Sequence, residues 1–284
     1  MLQIKSHPCF LTPKPLKPDC PLFVFLPGMD GTGQLFRSQT AGLETGFDIR
    51  CLAIPANDLT NWDVLADKVV GLIEAEIKQD PQRSVYLCGE SFGGCLAIKV
   101  ALRAPQLFER LILVNPASSI SRRPWIYLGI SLTKIVPESF YQFGSLVGLS
   151  VLAALARIAP EDRQALMEAV QMVPQKTAVW RLSLLKDFDV ENIELHRIGQ
   201  PVLIVAGASD RLLPSVTEAE CLAESLPNAE IVVLPESGHA CLLEKDVNLY
   251  EIMKARKFLP SQSKRSHTLA RSKNSKSELV SSPT

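Results

Sequence analysis

Six short apolar runs mark out most of the chain: LFVFL from Leu22, IRCLAI from Ile49, VYLC from Val85, LILV from Leu111, VLIVA from Val202 and IVVL from Ile231. Each is bounded by Gly, Pro, Asn or charged residues. Runs that do not alternate with polar positions suit strands buried on both faces, as in a parallel sheet. Helical periodicity fills most of the gaps. After IRCLAIP, Thr60 followed three residues later by Asp63 predicts a capping box, and Leu65, Val69, Leu72, Ile73 and Ile77 then fall on one helical face. Strand alternating with helix implies an α/β fold, a mostly parallel, doubly wound sheet with right-handed crossovers and helices on both sides.

The alternation breaks once. Between Asn115 and Pro201 no strand pattern is found. WIYLGISLTKIVPESFYQFGSLVGLSVLAALARIAP is apolar on too many sides for a surface helix, and EDRQALMEAVQMV places Leu166, Val170 and Val173 on one face. Residues 118–190 therefore read as a helical insertion, a lid over one end of the sheet. Within it, Ser139 to Ala156 is the longest uncharged stretch. It is near the shortest length able to span a bilayer, but it contains Ser, Gln and Gly. Gly144 and Gly148 have the spacing of a membrane helix-pairing motif, and close packing inside the lid explains them as well.

The ends differ from this body. Residues 1–20 form a Pro-rich arm with no apolar stretch of the signal-peptide kind. Residues 261–284 are Ser-rich, with Lys264, Arg265, Arg271, Lys273 and Lys276 against a single Glu278, a composition expected to stay disordered. The expected domain is 21–260. Contact with an anionic membrane through the lid or the basic tail is conceivable, but a solvated tail is the simpler reading.

Composition narrows the field. Of 284 residues, 46% are hydrophobic and 21% charged, with a formal net charge of zero, so the chain has an ample core and no global pull toward nucleic acid. Its seven cysteines are odd in number, scattered and free of CxxC pairs. They suggest neither a disulfide framework nor a zinc site; a reducing, cytoplasmic setting is expected, with a place at the periphery of a membrane as the alternative.

The candidate chemistry centres on Gly89-Glu90-Ser91-Phe92-Gly93, between the run VYLC and the helix-forming CLAIKVALRA. G-x-S-x-G alone is weak; strand, pentad and helix in that order make it a nucleophile elbow, a turn so tight that only glycine fits on either side of the serine. A serine hydroxyl needs a base. Of four histidines, His7 lies in the Pro-rich arm, His267 in the tail and His196 in a charged segment before a strand. His239 follows the last apolar run through LPESGHA, at the same sheet end as Ser91. The orienting acid should follow the preceding strand, and VLIVAGASD ends in Asp210; Asp187 and Asp189, placed before a strand, are reserves. The chain order Ser, Asp, His is that of the α/β-hydrolase fold.

Two backbone N–H groups should hold the developing oxyanion. One is assigned to Phe92. The other is assigned to Met29, in the loop after the first strong strand, where Gly28 is expected to let the backbone approach closely. The glycines of that loop lack G-x-G-x-x-G spacing, and no P-loop lysine accompanies them, so a nucleotide cradle is a poor reading. Glu90 may be a simple elbow contact and is given no catalytic role. No metal or organic cofactor is needed.

Taken together, FLPGMDGTG, YLCGESFGGCLAIKVA, LILVNPASS, GASDRLLPS and SGHACLLEKDVNLYEIM resemble the hydrolase half of the plastid and cyanobacterial esterase/acyltransferase proteins, the group of phytyl ester synthases and their diacylglycerol-acyltransferase-like relatives. The resemblance covers roughly residues 20 to 258. It implies an α/β-hydrolase fold, lipid acyl chemistry and triad roles for Ser91, Asp210 and His239. Those plastid proteins also carry an acyltransferase-type half with a His-x-x-x-x-Asp motif, which no histidine here matches; His239 is followed by Glu244 instead. Hydrolysis of a lipid-like ester or thioester through an acyl-enzyme on Ser91 is therefore expected. The alternatives are transfer of the acyl group to a long-chain alcohol such as phytol or a diacylglycerol, and a non-catalytic lipid-binding protein.

Overall fold

The computed structural model describes residues 7–122, 137, 153–189 and 193–260. Seven strands form one sheet in the order β1-β3-β2-β4-β5-β6-β7. They are β1 Cys9–Leu11, β2 Leu22–Leu26, β3 Asp48–Ala53, β4 Val85–Glu90, β5 Arg110–Val114, β6 Val202–Gly207 and β7 Ala229–Leu234. All pair in parallel except β1, which runs antiparallel to β3. The six apolar runs are the six parallel strands, and the expected α/β-hydrolase architecture is what the chain adopts.

The pleat explains why those runs are unbroken. Leu22, Val24 and Leu26 of β2 enter one core with Val85 and Leu87 of β4, Leu111 and Leu113 of β5, and Ile204 of β6. Phe23 and Phe25 enter the other with Tyr86, Cys88, Ile112 and Leu203. Successive side chains point to opposite faces, and both faces are covered. Helices α2 (Trp62–Ile77) and α3 (Phe92–Arg103) cover the first face. Helices α1 (Arg37–Leu43) and, near the C-terminus, Leu249–Ala255 flank the second, where Phe36 stacks on Phe25 with ring centroids 3.9 Å apart. Each fully buried Leu or Phe contributes about 2 kcal/mol.

Three expectations need correction. The Pro-rich arm is not wholly outside the sheet, because Cys9–Leu11 pairs with β3. Helix α2 is capped one residue later than expected: Asn61 accepts from the Val64 N–H, while Thr60 is turned toward Asp58. Asn and Thr both cap well, so composition could not choose between adjacent candidates. The IVVL run is an edge strand rather than a doubly buried one, with Val232 buried but Val233 exposed.

Between β5 and β6 the described residues include helices, chiefly α4 (Pro160–Gln171) and α5 (Gln175–Lys186), and one isolated antiparallel bridge from Ile158 to Glu244. Leu166 and Val173 are buried and Val170 partly so, matching the expected face. Helix α5 docks against the start of α2: Trp62 donates its indole N–H to the Leu184 carbonyl at 2.8 Å, and Trp180 donates to Thr60 at 2.9 Å. No helix among the described residues is long and apolar enough to cross a membrane. Most of Ser139–Ala156, with Gly144 and Gly148, and the whole 261–284 tail lie outside the described residues.

Candidate active site

Ser91 sits in the turn from β4 to α3 with φ 54°, ψ −115°, a backbone conformation that non-glycine residues rarely adopt. A Cβ on Gly89 would lie 2.1 Å from the Gly93 carbonyl oxygen, and one on Gly93 would lie 2.0 Å from that of Leu26. Neither position accepts any side chain, which is the steric demand of the elbow. The turn is held by the Ser91 N–H bonding to the Val114 carbonyl at 3.0 Å.

Parallel strands place their following loops at one edge of the sheet. The loops after β4, β6 and β7 meet there. His239 Nε2 lies 2.8 Å from Ser91 Oγ, and its Nδ1 lies 2.7 Å from Asp210 Oδ2. The imidazole and the carboxylate are almost wholly buried. His7 and His196 are exposed, as are Asp187 and Asp189 at the end of α5; His267 lies outside the described residues. Burial alone would raise the Asp210 carboxyl, but hydrogen bonds from His239 and Ser215, the charge of His239 and the Leu213 N–H outweigh it and hold the carboxyl below the usual range. It stays ionised and can orient an imidazole in the tautomer that accepts from Ser91.

Several residues that sequence reasoning passed over hold this relay. Asn115, fully buried with φ 41° at the end of β5, accepts from the Gly207 N–H at 2.8 Å. It donates to the His239 carbonyl at 2.6 Å and to that of Gly238 at 3.1 Å. One side chain thereby ties the acid-bearing strand to the base loop. Glu244 accepts from the Gly238 N–H at 2.8 Å and pairs with Arg157 at 2.7 Å. Ser215 donates to Asp210 Oδ2, whose other oxygen accepts from the Leu212 and Leu213 N–H groups. A polar residue directly after an apolar strand was the available sign for Asn115, since Asn tolerates a left-handed backbone.

On the other side of Ser91 lies the loop after β2. The Gly31 N–H bonds the Gly28 carbonyl at 3.1 Å, making a turn with Met29 and Asp30 at its corners. A Cβ on Gly28 would meet nothing nearer than 3.6 Å and would sit 3.8 Å from Ser91 Cβ. The loop therefore abuts the nucleophile, but, contrary to expectation, Gly28 is not required for the approach. Phe92 is the first residue of α3, so its N–H has no intrahelical acceptor. Behind the loop are two carboxyls. Burial raises Asp30 against its Thr32 hydrogen bonds and the charge of Arg181. Burial, with Asp30 adding to it, pushes Glu90 up to about 8; its Oε1 is buried with no partner among the described residues. Burial thus favours the neutral form of Glu90 beside Ser91.

Comparison with known proteins gives the chain a family and related folds. The family described as serine aminopeptidase, S33, matches residues 56–246, a span that includes Ser91, Asp210 and His239. Over 259 residues the chain is 33% identical to phytyl ester synthase 1, chloroplastic, of Arabidopsis thaliana, covering 83% of this chain and 37% of that protein. It spans little more than a third of the length of the phytyl ester synthases it matches. It is 28% identical over 233 residues to the putative carbamate hydrolase RutD of Pseudomonas savastanoi pv. phaseolicola, covering 78% of this chain and 88% of that one. Among solved structures, an esterase (EaEST) from Exiguobacterium antarcticum superposes with a TM-score of 0.67 at 21% identity, covering 83% of this chain and 91% of that one. The chain belongs to the serine aminopeptidase, S33, family and has the α/β-hydrolase fold.

Proposed function

We propose that the chain cleaves carboxylic esters, or thioesters, of lipid-like acyl groups through an acyl-enzyme on Ser91. The observation that carries this reading is the continuous Ser91–His239–Asp210 contact, with hydrogen-bond distances of 2.8 and 2.7 Å. His239 Nε2 takes the Ser91 proton as Oγ bonds to the carbonyl carbon, and Asp210 holds the imidazolium that forms. The Met29 and Phe92 N–H groups receive the oxyanion. As the tetrahedral intermediate collapses, the imidazolium gives its proton to the leaving oxygen or sulfur. Water, deprotonated by the same imidazole, then releases the acid and restores Ser91.

The apolar sequence of the 118–190 insertion and the similarity to phytyl ester synthases support an acyl chain as substrate. That similarity also favours a second reading, in which a long-chain alcohol such as phytol or a diacylglycerol replaces water as acceptor. The seven cysteines are free thiols, four of them buried, which supports work in a reducing compartment such as the cytoplasm.

Both readings are tested by hydrolysis of p-nitrophenyl esters of graded chain length, with and without added phytol. Rate should rise with chain length, and Ser91→Ala should lower turnover by about five orders of magnitude while leaving the fold intact. Appearance of phytyl ester in place of free acid selects transfer over hydrolysis. A Ser91→Ala protein retaining a tenth of the activity removes Ser91 from its role.

A further inference from the structure

Arg181 lies on α5, in the helical insertion, yet it is only 1% exposed. Its Nη1 donates to the Met29 carbonyl at 2.5 Å and its Nη2 to the Pro55 carbonyl at 3.3 Å. The guanidinium carbon stands 6.0 Å from the centroid of the Phe92 ring. A Cβ on Gly31, which has φ 69°, would lie 2.7 Å from Nη1, so the guanidinium is packed against the turn itself. One buried cation thus touches both residues proposed to supply the oxyanion donors.

The consequence follows from the planarity of the peptide. In the Gly28–Gly31 turn, the Gly28 carbonyl accepts from the Gly31 N–H, so the Met29 N–H, on the same peptide unit, faces the opposite way. That fixes one corner peptide. The central peptide, between Met29 and Asp30, has no such tie within the turn, and its flip interconverts the two common turn types. Arg181 grips its carbonyl oxygen. A flip would break this charge-assisted hydrogen bond.

We propose that Arg181 is a positioning residue that holds the loop carrying the Met29 N–H in place beside Ser91 through the Met29 carbonyl and the Phe92 ring, so that the oxyanion hole is complete only when α5 is docked. This inference rests on the reading of Met29 and Phe92 as the oxyanion donors. A planar two-armed donor suits the task, because its arms reach two carbonyls in a fixed geometry that a lysine ammonium does not reproduce.

The test measures ester turnover and inhibition by a long-chain alkyl trifluoromethyl ketone, whose adduct with the nucleophile carries an oxyanion, in wild type, Arg181→Met and Arg181→Lys. Arg181→Met should lower kcat by about 100-fold, the scale of losing one oxyanion donor, with KM changed less than about threefold. The inhibition constant should rise in step with the fall in kcat/KM. Arg181→Lys should fall between, by roughly tenfold, and it decides the question if Arg181→Met fails to fold. A residue that only supported the fold would lower the melting temperature and leave kcat and inhibition in the folded fraction unchanged; that result overturns the proposal. So does a loss confined to KM. A wild-type protein that neither turns over esters nor binds the ketone would defeat the functional reading first, an outcome distinct from active wild type with indifferent Arg181 variants.

Discussion

The His239 loop is tied to the sheet through Asn115 and to the insertion through Arg157, whereas the Met29 carbonyl is gripped by Arg181, a side chain from a helix inserted between β5 and β6. Asn115 at the end of β5 bonds the base loop and Gly207, the last residue of β6, together, and Glu244 accepts from the Gly238 N–H of the same loop. On the far side of Ser91, the described grip on the oxyanion turn includes Arg181 from α5, which is itself tied down by Trp62 and Trp180. The base loop is therefore anchored to a central strand as well as to the insertion. The oxyanion side depends on the docking of one local element, and such elements open at lower free energy than a central sheet does. Proton transfer and oxyanion binding, though centred on one serine, should respond differently to perturbation.

Asn115→Ala attacks the side held by the sheet and should have the largest effect of the variants that separate the two. It leaves the Gly207 N–H and two carbonyls without their partner, costing about 2–3 kcal/mol of stability measured by urea unfolding. Displacement of the base loop should also lower kcat/KM by about 10- to 100-fold. If Asn115→Ala left urea stability intact while lowering activity, the two sides would not differ in the way described.

Glu90→Gln should act least on catalysis and reports instead on the acidic pair behind the turn. The unfolded carboxyl ionises near 4.5, the folded one at about 8. Between those values the folded state keeps a proton that the unfolded state has lost, so stability falls as pH rises through this window and levels off above it. Gln removes that dependence. Its melting temperature should match wild type near pH 4 and exceed it increasingly toward pH 8, by about 2–4 °C for each kcal/mol recovered. A difference independent of pH would place the Glu90 carboxyl in water after all.

Much of this was legible in the chain, for identifiable reasons. Parallel strands buried on both faces write themselves as unbroken apolar runs, and the elbow glycines are compelled by contacts of 2.1 and 2.0 Å that no other residue survives. The position of Ser91, Asp210 and His239 each after a parallel strand places all three at one sheet edge before any coordinates are known. What stayed hidden depends on distant partners. Nothing local distinguishes Arg181 from the solvated arginines of other helices, because its burial is set by Met29 and Pro55, more than a hundred residues earlier. Cys9–Leu11 is too short and too close to prolines to show a strand pattern. Gly28 looked indispensable for its neighbourhood, yet the turn is shaped by Gly31 and its bond to the Gly28 carbonyl.

The central claim, that Ser91 is the activated nucleophile, is most directly tested by mass spectrometry after reaction with a fluorophosphonate. The account predicts a single covalent adduct on the tryptic peptide running from Ser84 to Lys99, located to Ser91 and absent from folded Ser91→Ala. An adduct on another residue, or none on a folded wild-type protein, would contradict it.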